Sequence, residues 1–364
     1  MVYLQSEQIF NFLAAAKDLN ASDIHIYVDS PLMCRINGKI IPYNDKILSY
    51  SDVENIVKTI TPKQKLLELQ STGEVDFAYE IPDISRFRVN VFKERSNYAI
   101  AMRIIKSDIP NAIDYNIPKT IMELAKLNSG LVLITGPTGS GKSTTLAAIL
   151  NEINENRNAH VITLEDPIEF VHKNKKSIFN QREIGQDSNS YQEALRATLR
   201  QDPDVILIGE MRDYETMSIA LTTAETGHLV FSTMHTLGAC KSINRIVDVF
   251  PPHQQNQIRI QLASILEAIV SIQLVPHISG KSVVAAYEIM KVTPAIRNLI
   301  REGKNHQILS QIQTGRNIGM QTLDNSLKRL ANESLISKEN ALLYSIDKES
   351  MQRDLGMFLG SYNN

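Results

Sequence analysis

The chain has 364 residues, 43% hydrophobic and 21% charged, with a formal net charge of −2. That length accommodates two or three domains with sizeable cores. The near-neutral charge excludes a global basic field for nucleic acid or an anionic membrane and leaves room only for local patches. The two cysteines, Cys34 and Cys240, lie far apart, match no metal-ligand spacing and read as small buried hydrophobes. The opening stretch, MVYLQSEQIF, has neither a basic n-region nor an apolar h-region. No run approaches the ~18 apolar residues of a membrane span. A reduced, cytoplasmic protein is expected.

Residues 1 to 106 form a first unit. After Ser6, Ile9, Phe12, Leu13 and Ala16 recur at helical spacing. Ile24, Ile26 and Val28 then alternate with Asp23, His25 and Tyr27, the pattern of a half-buried strand, which puts His25 on its polar side. Asn37-Gly38 is a hairpin turn signal. Ser51 with Glu54, and Thr61-Pro62 with Gln64, resemble capping boxes that open helices. Two further strand pairs follow. Residues 75–81 turn at Pro82-Asp83; Phe87, Val89 and Val91 alternate with Arg86, Arg88 and Asn90; residues 98–105 return. These features predict an α+β unit with an antiparallel sheet. Arg86, Arg88, Arg95 and Arg103 cluster in its last strands and form a candidate anion-binding surface. Residues 107–118, SDIPNAIDYNIP, have two prolines and no period, and read as a linker.

From residue 119 strands alternate with helices, the mark of an α/β fold with a parallel sheet. The stretch LVLITGPTGSGKSTTLAAIL, residues 131–150, is a buried strand, a glycine-rich loop and a helix with the spacing GxxxxGK[ST]. The glycines let backbone N–H groups turn toward a phosphate chain, and the positive end of the helix faces the same anion. Lys142 adds a charge for the terminal phosphates, and Ser143 a hydroxyl for Mg²⁺. The loop does not choose adenine over guanine. Residues 160–164 form an apolar strand ending in Glu165-Asp166, placed to hold a metal or orient a water. Ser190 and Glu193 make a capping box, and Arg196 and Arg200 share a helix face. In DVILIGE, residues 204–210, an apolar strand ends in Glu210, the carboxylate expected to polarise an attacking water. His228 and His235 flank the next strand, and a histidine at a strand's carboxyl end can sense the terminal phosphate. The remainder reads as mainly helical: a long helix over 258–274, and AIRNLIRE, residues 295–302, opened by Thr293-Pro294 and closed by Gly303, with Arg297 and Arg301 one turn apart. Further helical patterns occupy 305–345. The tail, 347–364, is polar and expected to be disordered.

Together ITGPTGSGKST, ITLEDPIEF, DVILIGEMRD, AETGHLVFSTMHT, AIRNLIRE and GMQTLD, in this order, resemble the secretion-superfamily hexameric ATPases, and within them the motors that retract type IV pili. The resemblance runs from Ala21 to about Leu330. It implies a PAS-like first domain (1–106), a linker (107–118), and a RecA-like P-loop ATPase core with C-terminal helices (119–346). It also implies that ATP is held by Gly136, Pro137, Thr138, Gly139, Ser140, Gly141, Lys142, Ser143 and Thr144, and Mg²⁺ by Ser143 and Asp166. Glu165 and Asp166 correspond to the Asp box, Glu210 to the catalytic glutamate, and His228 and His235 to the His box. Arg88 and Arg103 correspond to arginines that reach the γ-phosphate. AIRNLIRE corresponds to the helix that distinguishes retraction motors. The implied assembly is a homohexamer on the cytoplasmic face of the inner membrane at the pilus base, with a platform protein and a paralogous retraction ATPase as partners and no nucleic acid. Ser232 and Gln201 depart from the retraction pattern toward the pilus-assembly and secretion branches. Two cysteines, however, cannot make the four-cysteine zinc element of those branches. An assembly, type II secretion or conjugation motor is the alternative, and a nucleic-acid motor a more distant one.

Overall fold

The computed structural model describes residues 6–36, 38–82, 84–105 and 109–357. The chain divides into two compact units, one of Met1–Asp108 with Pro167–Val171, the other of Ile109–Asp166 with His172–Asn364.

In the first unit, helix α1 (Ser6–Asp18) leads to strands β1 (Asp23–Ile26), β2 (Met33–Ile36) and β3 (Lys39–Pro42). Helices α2 (Tyr50–Ile60) and α3 (Lys63–Thr72) and strands β4 (Glu74–Ile81), β5 (Ser85–Glu94) and β6 (Asn97–Ile105) follow. The sheet order is β3-β2-β1-β6-β5-β4, every neighbouring pair antiparallel. Phe87, Val89 and Val91, every second residue of β5, are buried with Phe12 and Leu13 of α1 and Val53 and Ile56 of α2. Two boundaries differ from expectation. Helix α2 is opened by a reciprocal box of Ser49 with Asp52, while Glu54 instead pairs with Lys58 one turn on. Helix α3 starts after Pro62 with no side-chain cap. Asn37 and Asp83, in the two expected turns, lie outside the described residues; Gly38 takes φ +81 between the paired β2 and β3.

The second unit opens with the short helix α4 (Lys119–Met122). It continues as β7 (Gly130–Thr135), α5 (Lys142–Asn156), β8 (His160–Glu165), β9 (Ile178–Glu183), α6 (Tyr191–Thr198), β10 (Val205–Ile208), α7 (Tyr214–Glu225) and β11 (Leu229–Met234). Then come α8 (Ala239–Val249), α9 (Gln255–Ile265), β12 (Leu266–Pro276) and β13 (Val283–Lys291). The sheet order is β13-β12-β7-β11-β10-β8-β9, parallel except for the β12–β13 hairpin. Both faces are covered. Leu131 and Leu133 of β7 join one apolar cluster with Ile206 and Ile208, while Val132 and Ile134 join the other with Val205 and Leu207. Each such side chain stabilises the fold by about 1.5–3 kcal/mol relative to exposure, and double coverage is why these strands read as unbroken apolar runs.

The expected helix over 258–274 is corrected. Helix α9 ends at Ile265 and the chain passes directly into β12. Residues such as Ile269, Val270 and Ile272 are buried on both faces, so apolar periodicity does not separate strand from helix there. The guanidinium of Arg297 marks the junction, donating to the carbonyls of Ala263 and Ser264 at 2.7 and 2.9 Å and to Glu267 at 2.7 Å.

Helices α10 (Pro294–Arg301), α11 (Ile308–Thr314), α12 (Leu323–Asn332), α13 (Lys338–Tyr344) and α14 (Lys348–Asp354) complete the chain. Helix α14 corrects the expected disordered tail: Asp347 caps it, and Met351 and Leu355 are buried with Leu323, Leu327 and Leu330. Residues 358–364 lie outside the described residues. The expected linker, 107–118, falls partly outside the described residues. Ser107 and Asp108 are not described, and Ile109–Asp166 falls in the second unit, where Ile117 joins the core beneath β7 and α5.

Candidate functional site

Strands β7, β8, β10 and β11 end on one edge of the sheet, the edge where open parallel sheets receive ligands. Strand β7 feeds the glycine loop. Gly136 has φ +143, and a Cβ on it would stand 2.3 Å from the Ile272 carbonyl oxygen and 2.7 Å from Ser140 Oγ, so no side chain fits there. Its N–H donates to Met234 O at 3.1 Å, fastening the loop to the end of β11. Pro137, Thr138 and Gly139 form an exposed crest. Gly141 precedes α5 without any side-chain cap, which leaves first-turn N–H groups for an external acceptor. Ser140 Oγ is buried with no hydrogen-bond partner among the described residues, an orphan that a phosphate oxygen would satisfy. The Lys142 ammonium lies over the loop, donating to the carbonyls of Gly136 and Pro137 at 2.8 and 2.9 Å. Ser143 and Thr144 stand half-buried in the first turn. The segment fits a phosphate chain, with the Ser143 hydroxyl in the first turn of α5 and the Asp166 carboxylate exposed just past the end of β8.

The other strand ends converge on Glu210, whose side chain is 12% exposed. One carboxylate oxygen faces His235 Nε2 at 3.0 Å and the other forms an ion pair with Arg212. The hydrogen bond that Arg212 donates to Glu210, and then the charge of that carboxylate, hold the guanidinium above its ordinary pKa and in the charged form. His235 Nδ1 lies 3.5 Å from Thr138 Oγ1, so its ring spans from the carboxylate to the loop crest. Glu165 accepts from Thr163 Oγ1 at 2.6 Å and from Gln181 Nε2 at 3.2 Å, which aligns it at the end of β8.

His228 is not brought to this edge. It precedes β11, roughly 20 Å along the strand from His235, and its Nδ1 lies 3.1 Å from Thr223 O and from Thr226 Oγ1, where α7 closes. Within a single chain the two histidines thus stand at opposite ends of β11. Arg88 and Arg103 belong to the first unit and face each other directly across β5 and β6. Like charges in that register repel. Arg103 is relieved by Asp23 at 2.9 Å, whereas Arg88 is exposed and has no ion-pair partner among the described residues.

A sequence profile of the family described as type II/IV secretion system protein matches residues 7–342. The chain belongs to this family. It is 46% identical over 333 residues to the type IV pilus retraction ATPase PilT of Pseudomonas aeruginosa, covering 92% of this chain and 96% of that one. It is 47% identical over 319 residues to a twitching motility protein of Neisseria gonorrhoeae, covering 88% and 85%. The crystal structure of the pilus retraction motor PilT with bound ADP superposes with a TM-score of 0.89 at 44% identity, covering 95% of this chain and 99% of that one. Type II secretion system protein E of Xanthomonas campestris is 48% identical over 248 residues, but those are 64% of this chain and 42% of that protein.

In this secretion-system protein two features of the site carry no isolated sequence signal. Tyr191 reads in the sequence as part of a cap, yet its hydroxyl reaches the strand ends. A Cβ on Gly209 would lie 2.7 Å from that hydroxyl and 3.1 Å from Leu164 O, so a side chain before Glu210 would crowd both. Burial, and then the charges of Asp166, Glu210 and Glu165, push the phenol well above its ordinary pKa, so Tyr191 stays a neutral donor beside the carboxylates. Arg212, which follows Glu210 closely in sequence, is the second feature. The departure at Ser232 is locally satisfied, its buried hydroxyl donating to Ile208 O at 2.8 Å. Nothing in the structure explains Gln201.

Proposed function

We propose that this chain is an ATP-hydrolysing motor that drives retraction of type IV pili. The observation that carries the reading is the strand-edge set of Lys142, Ser143, Glu165, Asp166, Glu210 and His235, in a chain matched to named retraction motors over nearly its whole length. ATP places its phosphates on residues 136–144, with Lys142 leaving the loop carbonyls for the terminal phosphates. Ser143 and Asp166 are the residues that would hold magnesium, which would supply charge neutralisation at the phosphoryl group. Glu210 takes the hydrogen bond of the attacking water once Arg212 or His235 yields one carboxylate oxygen. The ring of His235 links that carboxylate to the loop crest, and Glu165, aligned by Thr163 and Gln181, orients the water network. Arg88 and Arg103 are the arginines assigned to the charge building on the γ-phosphoryl, a role worth about 10³–10⁵ in rate where it operates.

The working form in this proposal is a homohexamer, peripheral to the inner membrane at the pilus base. Its partners are the platform protein and a paralogous retraction ATPase. No helix among the described residues is long and apolar enough to cross a membrane. The deciding experiment is a strain lacking this gene, scored for surface pili and twitching. Excess pili without twitching is the expected result. Bald cells would move the chain to the pilus-assembly branch, and unchanged pili with a secretion defect would move it to the secretion branch.

A further inference from the structure

The sheet of the second unit carries a row of buried polar side chains across three adjacent strands. Thr135 of β7, Ser271 of β12 and Glu288 of β13 are cross-strand neighbours in register, and their exposures are 0%, 1% and 3%. Burying three polar groups side by side costs desolvation unless each finds a partner. Two of them are tied to one segment. Thr135 Oγ1 and Ser271 Oγ are 2.5 Å apart. Ser271 Oγ accepts from the Gly238 N–H at 2.9 Å, and Glu288 Oε1 accepts from the next N–H, that of Ala239, at 2.8 Å. The Glu288 carboxylate also accepts the backbone N–H of Leu323, so the first N–H groups of α8 and α12 meet on one buried carboxylate. The other end of the segment is fixed by Gly136 N–H donating to Met234 O. Between these anchors sits His235.

We propose that Ser271 and Glu288 are positioning residues for ATP hydrolysis, holding segment 234–239 so that His235 spans from Glu210 to the phosphate loop. This rests on the ATPase reading above. The row begins at the last residue of the phosphate-loop strand and ends at the C-terminal helices. Neither residue touches the phosphate loop's crest or Glu210; both act through the segment that carries His235.

The test is a kinetic double-mutant cycle with an exchange measurement beside it. Ser271→Ala and Glu288→Gln are each expected to lower kcat about tenfold and leave KM for ATP within twofold. In a His235→Ala background the same changes should cost less than twofold, because the residue they position is gone. Equal losses in both backgrounds, an unchanged kcat, or a raised KM with kcat intact would each overturn the proposal. Hydrogen exchange needs no turnover: the Gly238 and Ala239 amides should exchange at least tenfold faster in both variants while the β7 amides stay protected. Unchanged exchange at those two amides would overturn it as well. Should Glu288→Gln fail to fold, Ser271→Ala decides by the same readings. Turnover of the unmodified protein, measured first, judges the ATPase reading separately.

Discussion

His228 and His235 bracket the same strand, and their surroundings differ in kind. At the carboxyl end, His235 faces Glu210 and the loop crest, and the same loop holds a buried Ser140 hydroxyl with no partner among the described residues and leads into a helix start with no side-chain cap. At the amino end the two histidines are held by local partners. His228 is engaged by Thr223 and Thr226, and His160, which opens β8, is held by Asp202 O at 3.0 Å and Asn180 at 2.8 Å. The same residue type thus faces a strand-end carboxylate at one edge of the sheet and the closing turn of a helix at the other. Unsatisfied hydrogen-bonding capacity, rather than residue type, tells the edges apart.

Substitutions can break or sharpen that contrast. Glu210→Gln is expected to lower kcat by about 10²–10⁴-fold while nucleotide affinity holds within twofold; near-normal turnover would remove Glu210 from the mechanism. Lys142→Ala should weaken nucleotide binding by roughly 10²–10³-fold, since such a contact is worth about 4 kcal/mol before desolvation. An unchanged affinity by fluorescent-nucleotide titration would show that the ammonium stays on the loop carbonyls.

Another histidine with a packing role gives a pH signature. Burial, and then the charge of Lys175, lowers His172 to about 4, and its ring stacks on Phe179 at 4.7 Å. Between about pH 6.5 and 4 the unfolded chain binds a proton that the folded one does not, so stability falls as pH drops through that window. The loss is about 3 kcal/mol, and His172→Phe should flatten the profile. If the wild-type and variant unfolding curves stay parallel from pH 7 to 4, the ring is not held neutral. The smallest effect is expected of His228→Ala, about 1 kcal/mol of stability and a few degrees in Tm, with nucleotide affinity unchanged. A large loss of affinity would erase the distinction between the edges.

The phosphate loop and the strand ends were legible in the sequence because their signals are local: glycines at fixed spacing, and apolar runs closed by a carboxylate. The alternation in β5 was legible for the same reason, since one face is wet. Where both faces are buried, as in β12, a strand and a helix write the same apolar run, and 258–274 misread accordingly. The tail misread for the opposite reason. Met351 and Leu355 are two apolar contacts in a polar stretch, and only the groove offered by α12 gives them meaning. Tyr191 was hidden because its relation to Glu210 is made by strand pairing, and the space left by Gly209 is visible only once β8 and β10 lie side by side.

Arg297 divides the AIRNLIRE helix into two kinds of position. Its guanidinium closes the last carbonyls of α9 and binds Glu267, while Arg301 on the next turn points outward with Asn298 within 3.5 Å. A scan across this motif will therefore mix two phenotypes under one label. Changes at 297 should read as protein turnover and loss of abundance, and changes at 301 as a normal, abundant protein with a silent surface. Immunoblotting each variant beside its motility assay sorts the helix into scaffold and contact face before any partner is known.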